Sequence, residues 1–210
     1  MHRVDVILQA LTLAVVFLYT IFTYRLLCQQ TRQGFENKFF QLLRFHHDIV
    51  SAIQVPRLGP TGATTLSGRP AFRALYESFV AHYGMEYNRN PQALMAQLAD
   101  EAYASFFEMH QDSLGHYFRN LYHVIKFVDR SSLDAKEGEF YTHLVRAQMS
   151  SDELLLLFYN CHGSFGREKF YPLVVKYALL KNMPQDDLAS RRFKHPADHK
   201  ALYPPCAYGE

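Results

Sequence analysis

"GHYFRNLYHVIKFVD", Gly115 to Asp129, carries two patterns at once. Phe118, Leu121, Ile125 and Val128 recur at intervals of three and four residues, which gathers them on one stripe of an α-helix. The strict alternation of a half-buried strand is absent. His116, Arg119, Asn120 and His123 keep the i, i+3, i+4, i+7 spacing as well, so they share a second face. A row of that kind serves as an active site, as a polar seam between helices or subunits, or as a solvated surface. The spacing favours the seam.

Helical spacing continues on both sides. Downstream, "EGEFYTHLVRAQM" and "SSDELLLLFYNCHG" read as two helices. The second opens on a capping box, with Ser150 facing Glu153 three residues on, and closes at Gly163. Its run from Leu154 to Tyr159 is too continuously apolar for a surface helix and belongs at the centre of the domain. "REKFYPLVVKYALLKNM" is a further helix, with Pro172 near its first turn and Asn182 and Pro184 as its stop. Upstream, "PAFRALYESFVAHYG" runs from a first-turn proline, Pro70, to a terminating Gly84. The long stretch from Asn90 to Ser131 that follows is helical, with a break or kink expected around Ser113 to Gly115. "PRLGPTGATTLSGRP", Pro56 to Pro70, has three prolines and three glycines and reads as a loop. It lacks the GK[ST] of a phosphate-binding loop.

Near the N-terminus, "VILQALTLAVVFLYTIFTY", Val6 to Tyr24, is 19 residues without a charge. A helix of that length spans about 28 Å, close to a bilayer's hydrocarbon core. The run is long for a signal-peptide core and is followed by Arg25, Leu26, Leu27 and Cys28 instead of a cleavage site, so the expectation is a membrane span. Arg3, offset by Asp5, precedes it, whereas Arg25, Arg32, Lys38 and Arg44 follow. By the positive-inside rule the bulk of the chain then faces the cytoplasm.

The predicted fold is all-α: one N-terminal transmembrane helix followed by a cytoplasmic domain of about six helices. In segments, residues 1–28 form the anchor, 29–55 an amphipathic stalk, 56–70 the Gly/Pro loop, 71–185 the helical domain and 186–210 a polar, proline-punctuated tail expected to be poorly ordered or peripheral.

Composition limits the chemistry. The chain has 22 Lys and Arg against 20 Asp and Glu, a net charge of +2, so nothing in the overall balance marks a nucleic-acid binder. Three cysteines, Cys28, Cys161 and Cys206, lie far apart without a CxxC pair, which fits a reducing compartment and neither a zinc knuckle nor a disulfide framework. In "HHD", His46 to Asp48, neighbouring side chains on a helix point about 100° apart and so cannot all ligate one ion. No metal or cofactor is expected. Cys161 beside His162 fits packing better than a catalytic dyad. Glu153 is taken up by the capping box, and Arg146 lies within reach of Glu153 or Asp152.

Arg119, Asn120 and His123 also approach the signature of metal-independent HEPN-type ribonucleases, an Arg and a His with four to six residues between them, in which the imidazole moves protons and the guanidinium stabilises phosphorane charge. Only three residues separate Arg119 from His123 here, one short of that pattern.

"FENKFFQLLRFHHDIV", "SGRPAFRALYESF", "YFRNLYHVIKFVD" and "LVRAQMSSDELLLLFYNCHGSFGREKFYPLVVKYALLKNM" resemble, in this order, the blocks of the putative phage abortive infection family, the AbiC-like bacterial proteins. The similarity runs from about Phe35 to about Met183. It implies a membrane-anchored bacterial protein of antiviral defence at the inner membrane, acting as sensor or effector. The shared blocks mark Arg119, Asn120 and His123 in one segment and Arg146, Glu153 and Asn160 in another as site candidates, with His116 beside the first group. The partners implied are the lipid bilayer, further copies of the same chain, and a phage component or a neighbouring defence protein; nucleic acid is not expected. A HEPN-like ribonuclease effector is the alternative, and the balance of these features leans away from an enzyme.

Overall fold

The computed structural model describes residues 2–59, 62–194 and 198–210. Its first helix, α1 (His2–Ala52), belongs to two compact units, one up to Leu42 and one from Leu43 to Glu210. In the first unit, Leu13, Phe17, Leu18 and Phe22 are each more than 60% exposed. By length and composition α1 is able to cross a membrane. The threonine hydroxyls that dilute its apolar run are turned inward: Thr20 donates to the carbonyl of Val16 at 2.8 Å and Thr23 to that of Tyr19 at 2.9 Å. Each hydroxyl is thereby satisfied within the helix, which is what a hydrocarbon environment requires.

The second unit opens with the end of α1 and a two-stranded antiparallel hairpin, β1 (Gln54–Gly59) and β2 (Gly62–Ser67), paired from Gln54↔Ser67 to Gly59↔Gly62. This hairpin replaces part of the expected 56–70 loop. It left no alternating signature because β2 is exposed at every position except the half-buried Leu66, so neither face selects apolar residues. Gly62, at φ 121°, supplies backbone that an L-residue rarely adopts.

Helix α2 (Arg69–Arg89) begins with Pro70 in its first turn, as expected, and runs on past Gly84. Gly84 is a point of close approach instead of a stop: a Cβ there would lie 2.6 Å from Cζ of Phe193. Helix α3 (Met95–Asp129) is continuous through Ser113 to Gly115, where a break was expected. Helix α4 (Ala135–Gln148) is capped by Asp134, whose carboxylate accepts from the backbone N–H of Glu137. Helix α5 (Ser151–His162) has the predicted capping box, with both reciprocal bonds between Ser150 and Glu153. Beyond α5 less of the chain is helical than its spacing suggests: residues 164–170 are turns, and α6 is only Tyr171–Lys176. A short α7 (Ala189–Arg192) and 3-10 turns complete the chain.

Helix α5 is the centre. Every residue from Glu153 to His162 is buried, and α2 and α3 pack against each other and against it. The packing is aromatic. The Phe79 ring lies 4.2 Å from Tyr159, 5.9 Å from Tyr103 and 5.8 Å from Phe106, separations at which tilted and edge-on rings attract.

The tail is part of this core. Leu188, Ala189, Ser190, His199, Tyr203, Ala207 and Tyr208 are all buried. His199 makes it adhere: Nδ1 lies 2.7 Å from the Tyr159 hydroxyl, Nε2 3.2 Å from that of Tyr83, and its backbone N–H donates to Ser190. A peripheral tail was expected because its prolines and charges hide an internal network that only the folded chain assembles. His199→Leu deprives two buried tyrosine hydroxyls of their imidazole partner, and we expect a loss of about 2–3 kcal/mol in urea unfolding of the detergent-solubilised chain. A loss below about 0.5 kcal/mol would mean that the tail is not anchored there.

Candidate functional site

One face of α3 borders a cleft with a cavity of about 520 Å³. Its wall on α3 includes Gln111, Gly115, Arg119, Tyr122, His123 and Lys126; the opposite wall is Asn160 at the end of α5 and Phe165, Gly166, Lys169 and Phe170 from the turns that follow. Those turns are held in place by a bond to α3 and by local backbone bonds. Asp100 of α3 accepts from the backbone N–H of Ser164 at 3.0 Å, Gly166 donates to the carbonyl of Asn160 at 3.1 Å, and Phe170 donates to that of Gly166 at 2.8 Å. Gly166 has no room for a side chain: a Cβ would stand 2.8 Å from both the Asn160 carbonyl oxygen and the Cys161 Cα. Gly163 is equally constrained, since its Cβ would lie 2.5 Å from the Asp100 carboxylate.

Aromatic pairs frame both ends. Phe107 and Phe165 lie 4.5 Å apart between ring centroids, and Tyr122 and Phe170 5.6 Å apart in an edge-on arrangement. Three permanent cations, Arg119, Lys126 and Lys169, line the space without a lining carboxylate, and among the described residues none of the three forms an ion pair. Arg119 is oriented by a bond from Nε to the carbonyl of Gly115 at 3.2 Å. Lys126 is held by the Tyr122 hydroxyl, with its ammonium 4.8 Å from that ring's centroid. Such an arrangement has the charge to attract an anion, and its aromatic faces have the shape to pack on a planar group.

The polar row of Gly115 to Asp129 divides in space. Arg119 and His123 line the cleft and Asn160 joins them from α5, whereas His116 is exposed away from the lining. Asn120 turns to the end of α1. There the buried His46 ring lies 5.2 Å from Tyr117 with the Asn120 side chain beside it, and the two form no hydrogen bond of good geometry. His47 and Asp48 are exposed, so "HHD" does not converge. Arg146 does not reach Glu153 or Asp152; it donates to the carbonyl of Ala178 at 3.0 Å, while Asp152 pairs with Arg73 at 3.2 Å. Glu153 is fully buried, bonded to Ser150 and to the Tyr117 hydroxyl at 2.9 Å, and burial raises its pKa against those bonds. Burial also pushes the Cys161 thiol well up, the reverse of what a nucleophilic thiolate needs.

Lys126 and Tyr122 are not singled out by the sequence pattern, although they sit seven and three residues beyond Arg119 on the same helix. An aromatic residue there reads as packing and a lysine as solvated. Lys169 and Phe170 give no signal, because the spacing from Arg167 on suggests a helix where the turns lie, and Phe165 falls in the break between two expected helices.

The structure thus defines a helical domain with a cationic, aromatic cleft, joined in sequence to an apolar helix. The family model described as "Putative phage abortive infection protein" matches residues 109–188, 80 of the 210 residues, so the resemblance read from the sequence holds over that segment. Every residue named above in the cleft wall except Phe107 falls inside the match. No curated protein and no solved structure matches the chain.

His46 gives this region a measurable signature. Burial lowers its pKa from 6.5 to about 4, opposed by Asn120 and helped by the neighbouring His47. The folded state therefore resists a proton that the unfolded chain accepts. Stability is complete above about pH 6.5 and is lost as pH falls from there to about 4, by on the order of 3 kcal/mol. Unfolding free energy measured against pH should show that loss in the wild type and a shallower one in His46→Phe. Parallel curves would place the proton uptake elsewhere.

Proposed function

We propose that this protein is a membrane-anchored bacterial abortive-infection protein, whose helical domain acts as the sensor or effector of phage defence. The observation that carries the proposal is the family match, which overlies the cleft. The exposed apolar surface of α1 supports anchoring. The basic residues after Tyr24 support a single pass through the inner membrane with the domain in the cytoplasm. In this scheme the domain acts by self-association or by binding at the membrane surface, where an anchored chain meets its partners at raised local concentration. The cleft is its working surface and needs no chemistry of its own.

A ribonuclease reading is the second possibility, favoured by one observation: Arg119 and His123 line the same cleft one helical turn apart. It requires a proton shuttle and a charge stabiliser on one phosphodiester, with the shortened spacing made good by a second copy.

Phage challenge separates the two. Cells carrying the wild-type chain, a version lacking residues 1–28, and the double variant Arg119→Lys with His123→Ala are infected while membrane potential and RNA integrity are followed. For the membrane effector, protection and early depolarisation with intact RNA are expected, and both disappear with the anchor. RNA cleavage that persists without the anchor and vanishes in the double variant would make the ribonuclease primary. Equal phage yield with and without the wild-type chain would overturn the defence role.

A further inference from the structure

We propose that the α3 cleft is a binding site for a nucleotide-class small molecule, its phosphates held by Arg119, Lys126 and Lys169 and its planar base packed on the aromatic wall. The inference deepens the proposed defence role and rests on it for biological meaning, while binding itself is measurable without phage.

Size comes first. A cavity of about 520 Å³ lies within the roughly 300–1,000 Å³ of small-molecule sites and encloses a mononucleotide or a short oligophosphate nucleotide, with no room for a folded macromolecule. Charge comes second. Three cations line the cleft, two on α3 and one on the opposite wall, without a carboxylate among the lining residues, in a chain whose overall charge is only +2. Arranging like charges around one space costs electrostatic free energy, which an oligophosphate would return. Arg119 is already oriented to meet such a ligand, because its Nε is occupied by the Gly115 carbonyl, which leaves the two terminal nitrogens of its guanidinium for a bidentate contact with phosphate oxygens.

The remaining lining distinguishes a nucleotide from a bare anion. Phe165 packs against Phe107 and edge-on to Tyr103, yet about half of its surface stays exposed at the cleft. Stacking of bases on such rings is tolerant of base identity. Asn160, almost fully buried, gives its amide nitrogen to the Tyr103 hydroxyl at 3.0 Å. What it has to offer the cleft is its carbonyl oxygen, close against Gly166, where a Cβ would lie 3.2 Å from it. That oxygen accepts an exocyclic amino or ring N–H, and the amide of Gln111 adds a second adjustable polar group.

The test uses the full chain in detergent micelles and the four mant-labelled ribonucleoside triphosphates, read by fluorescence anisotropy. At least one should bind saturably, with tripolyphosphate alone and the free nucleoside each at least about tenfold weaker because each supplies half of the contacts. Lys169→Gln and Phe165→Ala, both at exposed positions and checked for unchanged circular dichroism, should each weaken binding about tenfold. Absence of saturable binding up to about 1 mM, or unchanged affinity in both variants, overturns the site. So does tripolyphosphate binding as tightly as the nucleotides, which would make it a general anion site. Full displacement by phosphatidylglycerol in mixed micelles would assign it to lipid headgroups, and preference for single-stranded RNA over every mononucleotide would assign it to RNA; either result overturns the proposal. A positive binding result beside failed phage protection would sink the defence role and leave the site standing.

Discussion

The arrangement of α3 and α5 depends on two buried hydrogen bonds that act as rungs between them: the Tyr117 hydroxyl donates to Glu153, and the amide of Asn160 donates to the Tyr103 hydroxyl. Glu153 and Asn160 lie seven residues apart, two turns on the same face of α5. Apolar contacts alone tolerate sliding of one helix along another at modest cost. A carboxylate with no exposed surface does not, because moving it by one turn would leave it charged and unpartnered in the core. The same Glu153 closes the capping box at the start of α5, so helix initiation and helix register are fixed by one side chain. The second rung places Asn160 at the wall of the cleft. Cleft geometry is thus an outcome of how the core is registered.

Elements governed by local periodicity were legible in the sequence. The apolar stripe of α3, the capping box of α5 and the burial of Leu154 to Tyr159 follow from residue spacing within a few turns. What escaped depends on contacts distant along the chain. Gly84 reads as a helix stop until Phe193, more than a hundred residues on, is seen to need its missing side chain. The tail reads as disordered until His199 is found between Tyr83 and Tyr159. Half of the cleft was visible as Arg119 and His123, and half was not, because Lys169 and Phe165 come from turns whose shape is imposed by Asp100 and by the close approach of Gly166 to α5.

Net charge was similarly uninformative, and for a physical reason. A balance of +2 sums charges whose fields do not overlap. Four arginines of this domain are neutralised locally: Arg73 and Arg192 share Glu77, Arg191 lies between Asp186 and Asp198, and Arg89 pairs with Glu86. Arg119, Lys126 and Lys169 are the contrast, and they stand around one concavity. Screening over about 8 Å at physiological ionic strength makes that local cluster, and not the total, the quantity a ligand meets.

The core's buried polar groups are otherwise well partnered, which makes the pair between α3 and the end of α1 informative. Glu153, Asn160 and His199 each have their bonds, whereas the His46 ring and Oδ1 of Asn120 lie together without a well-formed one. An unsatisfied buried group costs about 1–3 kcal/mol, and an apolar pair of similar volume would remove that cost. Asn120 adjoins Arg119 in sequence but does not line the cleft, so the departure from good packing falls where α3 meets the end of α1. Local rules are broken most often where a surface serves something other than stability. The defect therefore marks the contact between α3 and the end of α1 as a second place on this helix, apart from the cleft, where the sequence departs from what packing alone would select.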